Sequence, residues 1–296
     1  MKIALFSRDR VEHKADEVER IFAQVELHGF EYCVNEEFAA VVERLISKKI
    51  CPSKIYGATV GSLPPGSVML CYGGDGTILE GLHRLGGERV AVVGINSGRL
   101  GFLASGTGDD IEEIFEEIAT SSLKIEARMM LAVEGDFAQG EGTLFAANEL
   151  SVQRLGATMI SVETRIDGQV VATYYGDGVV VSTPTGSTAY SLSVGGPIVA
   201  PHCSCFVVSP LAPHNLTMRP LVVPASSKLS LSIFCRQGDA AISLDNRTYP
   251  IGQRAQIELS LASHEFLLAT PSNISFYETL REKMMWGVDL REKRKV

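Results

Sequence analysis

The chain has 296 residues, 45% of them hydrophobic and 21% charged, with a formal net charge of −8. That length suits one large globular domain or two modest ones. The acidic balance excludes non-specific nucleic-acid binding, which needs clustered Lys and Arg; the one basic run, Arg291 to Lys295, is terminal and reads as a solvated tail. In chain order, Lys2–Ser7 is an opening apolar strand, too short and too soon polar for a signal peptide. Val18, Ile21, Phe22 and Val25 then fall at helical spacing on one face, with Gly29 just past that helix. A strand-like FEYCV, a helical stretch near Phe38–Ile46 and a Pro64-Pro65-Gly66 loop follow. Val68–Tyr72 reads as a strand, Thr77–Leu85 as a helix, Val90–Ile95 as a buried strand, and Ile111, Ile114, Phe115 and Ile118 as another helix face.

Strands alternating with helices imply parallel pairing, so residues 1–123 are expected to form a Rossmann-like layered α/β domain. After about residue 124 the texture changes. ARMMLAVEG, TLFAANELSVQR, MISVETRI, QVVATYY, GVVVST, KLSLSIF, AISLDN and QIELSL follow one another, and Asp167-Gly168 between alternating runs signals a hairpin. Residues 124–270 are therefore expected to be a predominantly β C-terminal domain. From Pro271 the stripe Phe276, Leu280, Met284 suggests a helix packing back on the first domain, within the tail 271–296.

No stretch has the apolar length that crosses a bilayer, so no membrane partner is expected. The six cysteines lack the spacings of a disulfide framework or a zinc site, and His202 with Cys203 and Cys205 has no second pair beside it. Reduced thiols in a cytoplasmic protein fit this pattern, with no metal held by the protein itself.

Four stretches carry candidate chemistry. In CYGGDGTIL, residues 71–79, an apolar strand meets Gly73, Gly74, Asp75, Gly76 and Thr77. Glycines there let backbone amides approach a ligand, and the following helix start is an anion site. Equally, Asp75 could simply cap that helix. The loop has neither dinucleotide-fingerprint nor lysine-bearing phosphate-loop spacing. In DGVVVSTPTGSTAYS, residues 177–191, dense hydroxyls beside glycine could meet a polar ligand with Tyr190 stacking on a flat ring; the plainer reading is a long surface loop. Asn148-Glu149 offers acceptors suited to vicinal ribose hydroxyls, or is a strand edge. The loop GINSGRLGF, residues 94–102, follows a strand at the end where α/β sheets hold ligands.

Together with LTMRPLVVP at 216–224, these stretches resemble the bacterial-type NAD kinase family, in order and over most of the chain. STPTGSTAY is highly specific; GGDG is shared with lipid kinases and phosphofructokinases. The resemblance implies transfer of the ATP γ-phosphoryl group to the 2′-hydroxyl of the adenosine ribose of NAD, giving NADP. It implies Asp75 as the catalytic base with Gly76 beside the substrate, and a phosphate loop of Gly73, Gly74, Gly76 and Thr77. It also implies Phe102 near the adenine, and Asn148 and Glu149 on ribose and base. Asp177 with Thr188, Ala189, Tyr190, Ser191, Leu192 and Ser193 would line the dinucleotide site of the β domain, and Asp245 would lie near the active site. Where many relatives carry a basic residue two before the Asp-Gly pair, this chain has Tyr175. A divalent cation, Mg²⁺ delivered with ATP, and a homo-oligomer, dimer or tetramer, are further expectations of the family. A sugar or lipid kinase and a non-catalytic NAD(P)-responsive binding protein are the competing readings; STPTGSTAY opposes a sugar kinase, the lack of an apolar or basic membrane face a lipid kinase, and an intact Asp75 the binding protein.

Overall fold

A computed structural model of the chain describes residues 1–98, 101–104, 106–137, 142–236 and 239–287. Arg99, Leu100 and the run Arg291 to Lys295 lie outside the described residues. The chain forms two compact units, Met1–Ala127 with Phe266–Val296, and Arg128–Glu265.

In the first unit β1 (Lys2–Phe6) leads to α1 (Ala15–Leu27), whose Val18, Ile21, Phe22 and Val25 are all buried. β2 (Glu31–Asn35) ends on a residue whose side chain accepts the Phe38 N–H at 3.0 Å, capping α2 (Glu36–Ile46). β3 (Ile55–Tyr56), β4 (Val68–Tyr72), α3 (Asp75–Leu85), β5 (Ala91–Asn96) and β6 (Gly106–Thr107) follow. α4 (Ile111–Thr120) buries the expected Ile111, Ile114, Phe115 and Ile118, and β7 (Lys124–Arg128) closes this stretch. α3 starts two residues before the expected Thr77, because Gly74 is extended and serves as its N-cap, so Asp75 enters the first turn.

The second unit is made of β8 (Leu131–Gly135), β9 (Leu144–Ala146), β10 (Glu149–Arg154), β11 (Ile160–Ile166), β12 (Gln169–Gly176) and β13 (Gly178–Ser182), then the single turn α5 (Tyr190–Ser193). β14 (Cys205–Leu211), β15 (Leu221–Pro224), β16 (Leu229–Cys235), β17 (Ala240–Leu244), β18 (Arg247–Ile251) and β19 (Arg254–Leu261) complete it. Two six-stranded sheets result, ordered β15-β14-β13-β10-β17-β18 and β12-β11-β16-β19-β8-β9. Their pairings are antiparallel, and the alternation of buried and outward residues along β16 and β19 is what one-sided sheets require. Val152, Val181 and Phe206 from one sheet and Val162, Leu231 and Ile257 from the other share a single apolar core. Asp167-Gly168 forms the expected hairpin turn, with Ile166 paired to Gln169.

The chain then re-enters the first unit as β20 (Phe266–Thr270) and α6 (Phe276–Met284). β20 falls inside the span 124–270 read from sequence as the β half, yet pairs in parallel with β5. An apolar five-residue run carries no label for which sheet it joins; register with a distant partner decides it. The resulting order is β3-β2-β1-β4-β5-β20-β7, with β6 also on β5. β4 is buried along its whole length, as a parallel strand covered on both faces must be. Among the described residues no helix is long and apolar enough to cross a membrane.

Candidate active site

β4 delivers the Gly73–Gly76 loop, and what stands behind it is rigid. The Tyr72 hydroxyl donates to Glu17 Oε2 at 2.5 Å, and the Tyr72 carbonyl accepts from Ser7 Oγ at 2.6 Å. Gly73 then takes φ +144°, and a Cβ there would stand 2.5 Å from Thr77 Oγ1, so the turn admits only glycine.

Asp75 does not cap its own helix. Its carboxylate turns to the loop after β5 and accepts three backbone amides: Phe102 N on Oδ2 at 2.9 Å, and Leu103 N and Ala104 N on Oδ1 at 3.0 Å each. Gly101 makes that approach possible, since a Cβ on it would sit 2.0 Å from Asp75 Oδ1. Lys283 Nζ, from α6, lies 3.7 Å from Oδ2 and 4.8 Å from the centroid of the Phe102 ring. An ionised carboxylate has about four acceptor positions; three amides fill three and hold the fourth in a defined direction. Such an acceptor can orient a hydroxyl and take its proton.

Arg8, immediately after β1, packs its guanidinium against Gly76: a Cβ on that glycine would lie 3.2 Å from one terminal nitrogen and 3.6 Å from the other. Its Nε is buried without a hydrogen-bond partner. The loop thus has a cation beside it although its own sequence carries none. Phe102 is half-buried and its ring contacts the tail, 6.2 Å between centroids from Phe276; its contact with adenine rests on the resemblance alone.

The second unit brings a different set together. Asp245, at positive φ just past β17, accepts the N–H groups of Ala147 (2.9 Å), Asn148 (2.8 Å) and Glu149 (3.1 Å). It therefore braces the start of β10. Burial pushes the Asp245 carboxyl above the ordinary aspartate range, against those three amides that pull it down. Burial, and then the Asp245 charge, push Glu149 up to about 8. In its protonated form Glu149 offers a donor as well as an acceptor. Glu149 Oε2 and Asn148 Oδ1 are buried with no partner in the protein. Orphaned buried polar atoms on adjacent residues call for a partner from outside the chain, a water, an ion or a ligand.

The hydroxyl-rich block is not a surface loop. Ser182, Thr183, Thr185, Ser187 and Ser191 are buried. Thr183 Oγ1 donates to the Ala147 carbonyl at 2.6 Å and the Thr183 N–H to that of Asn148 at 2.9 Å, fastening the block to β10. Ser187 Oγ accepts from Val199 N at 2.9 Å. Thr183 and Ser187 thus hold backbone in place, while Ser182 Oγ and Ser191 Oγ are buried with no partner in the protein. Thr188, Ala189, Tyr190 and Leu192 are half-buried, and Ser193 at the end of α5 is exposed. The Tyr190 hydroxyl is pushed up by burial and by the charges of Asp177 and Glu149, which places all three in one neighbourhood.

Gln153, Arg154, Leu155, Gly156, Asp177, Tyr190 and Leu211 line an open cavity of about 350 Å³. Arg154 Nε donates to Asp177 Oδ1 at 2.5 Å, so the cation beside Asp177 comes from β10, while Tyr175 stands exposed on β12. Arg8, Arg154 and Lys283 escaped the motif reading, and Gly101, inside the GINSGRLGF stretch, was given no role of its own. Position after a buried strand, where α/β sheets bind ligands, was the available signal for Arg8; nothing local marked Lys283.

Two family profiles match the chain: ATP-NAD kinase N-terminal domain over residues 3–122 and ATP-NAD kinase C-terminal domain over residues 147–270. An NAD kinase of Bacteroides fragilis is 33% identical over 292 residues, covering 98% of this chain and 100% of that one. An NAD kinase of Cytophaga hutchinsonii is 35% identical over 294 residues, with the same coverage. Among solved structures, yeast NADH kinase complexed with NADH is similar with a TM-score of 0.82 at 21% identity, over 98% of this chain and 89% of that one. An NAD kinase from Archaeoglobus fulgidus in complex with ATP gives 0.74 at 23%, over 96% and 99%. At those identities the two structures speak for the fold.

Proposed function

The chain belongs to the ATP-NAD kinase family, and on that premise we propose how its residues divide the ATP-dependent phosphorylation of NAD to NADP. The first unit carries the phosphoryl chemistry. Asp75 orients the adenosine 2′-hydroxyl and accepts its proton as the bond from that oxygen to the γ-phosphorus forms. The bond from the γ-phosphorus to the bridging oxygen breaks, and ADP leaves with the electron pair. Phosphoryl transfer asks mainly for positioning and charge stabilisation. The observation that carries the reading is the three-amide tether on Asp75, because a carboxylate fixed this way has one direction left for a substrate.

Gly73, Gly74, Gly76 and Thr77 bring backbone amides of the α3 start to the phosphate oxygens, and the Arg8 guanidinium adds a charge-assisted contact. Mg²⁺ arrives with ATP, held by phosphate oxygens as part of the substrate.

The second unit recognises the adenosine. Asn148 Oδ1 and Glu149 Oε2, orphaned in the protein, pair with ribose hydroxyls and base groups, while Asp245 fixes the backbone under them. Tyr190 stacks on the flat ring, and Asp177 lines the cavity at its side. The cytoplasm, where six free thiols persist, and a homo-oligomeric assembly complete the reading.

Asp75→Asn tests it directly. Pure protein with NAD, ATP and Mg²⁺, coupled to an NADP-specific dehydrogenase, should lose about 10²–10⁴-fold in kcat, with NAD binding retained by calorimetry. Near-full turnover in that variant would remove Asp75 from the chemistry.

A further inference from the structure

We infer that Lys283 is a positioning residue for Asp75, and that α6, the helix carrying it, belongs to the phosphoryl-transfer site. The inference rests on Asp75 acting as the base.

All three amides on the carboxylate come from consecutive residues of one loop, Phe102 to Ala104. The tether therefore ties the start of α3 to that one loop, and only one of its three amides falls on Oδ2. Lys283 comes from a segment remote in sequence. Its ammonium lies 3.7 Å from Asp75 Oδ2, beyond a normal hydrogen bond yet within ion-pair range. Oδ2 carries one amide where Oδ1 carries two, so the cation lies beside the oxygen that keeps an open acceptor position, the one a hydroxyl needs. The same ammonium lies 4.8 Å over the Phe102 ring, so one cation engages both the carboxylate and the residue whose amide holds it.

The helix is built to hold Lys283 there. Ser275 and Glu278 form a reciprocal capping box at its start, with Glu278 N donating to Ser275 Oγ and Ser275 N to Glu278 Oε2 at 2.9 Å. Thr279 and Leu280 are buried, and the Phe276 ring packs toward Phe102. Lys283 sits in the last turn, where the helix dipole favours a cation. Its side chain remains 38% exposed, and ion pairs at that exposure add little to stability. What the pair supplies is geometry.

The test uses full-length enzyme with Lys283→Met and Lys283→Arg, each alone and combined with Asp75→Asn. Lys283→Met should lower kcat about ten-fold, the scale of a sub-ångström misplacement at a reacting group, with KM for NAD and the melting temperature unmoved. Lys283→Arg should restore most of that loss. In the Asp75→Asn background, Lys283→Met should add nothing, because an effect routed through one residue vanishes when that residue is gone. Lys283→Gln, which keeps a polar stem, gives the same reading if Met disturbs packing. Unchanged kcat, equal losses in both backgrounds, or a loss confined to KM or to melting would each overturn the inference. Full activity of Asp75→Asn alone would instead defeat the assignment of the base.

Discussion

Gly101→Ala places a methyl carbon 2.0 Å from Asp75 Oδ1, 2.9 Å from its Cγ and 3.2 Å from the Ala104 nitrogen. Real Cβ atoms essentially never approach below 3.0 Å, so carboxylate and loop must separate by about 1 Å. Gly101 is not at positive φ, so the alanine is not strained by its own backbone, and the damage falls on the Asp75 tether. A 1 Å misplacement at a reacting group lowers turnover by about 10²-fold. Weakening three amide contacts at about 1 kcal/mol each would cost stability of roughly 1–3 kcal/mol. The assay is the coupled NADP-forming reaction, run beside calorimetric NAD titration and thermal melting. The expected pattern is kcat down by about two orders of magnitude, NAD affinity kept, and a small drop in melting temperature. Wild-type turnover in a folded Gly101→Ala protein would show that the tether has no part in catalysis.

Arg8→Met should raise KM for ATP about ten-fold or more, the worth of one charge-assisted contact, and leave NAD affinity alone; an unchanged KM for ATP refutes the phosphate role. Tyr190→Ala should weaken NAD binding more than ATP binding in paired calorimetric titrations, and equal weakening would make Tyr190 structural. Glu149, raised to about 8 in the folded protein, binds a proton there that the unfolded chain releases near its ordinary value of 4.5. The sign follows: folded protein holds more protons across that window, so stability falls as pH rises from about 4.5 to 8. In Glu149→Gln that component of the pH slope should disappear from melting curves, and NAD affinity should no longer weaken as pH passes 8. An identical slope in both proteins would mean Glu149 is ionised throughout.

Much of the scaffold was legible because burial follows period. Helical spacing picked out the inner faces of α1 and α4 residue by residue, and the run Val68–Tyr72 became β4 without change. The Gly73–Gly76 turn, Asp75 and the Asn148-Glu149 pair could be singled out as candidates because unusual residues stand at element ends. Illegible was whatever depends on backbone atoms or on distant segments. The donors on Asp75 are main-chain amides 27 to 29 residues downstream, which leave no side-chain signature. Asp245 stands near the end of the strand-like run AISLDN, yet its carboxylate accepts the amides of Ala147, Asn148 and Glu149, nearly 100 residues earlier. In the STPTGSTAY block, hydroxyl density does not say which groups serve the backbone, as Thr183 and Ser187 do, and which stay unpaired, as Ser182 and Ser191 do; hydrogen bonding makes that distinction and composition does not.

The placement of β20 also governs how the chain can be made. Its slot lies between β5 and β7, both encoded by Arg128, but the strand itself is encoded after Glu265. A nascent chain that ends at Arg128 therefore exposes unpaired strand margins facing an empty lane, the kind of template that invites a stray segment. Completion of that sheet waits for the whole β unit to emerge, a long-range closure that slows folding and lengthens the window for misassembly. Truncation before Phe266 should thus yield insoluble material, whereas a permuted gene that starts at Phe266 and joins the natural ends would present the lane-filling strand first.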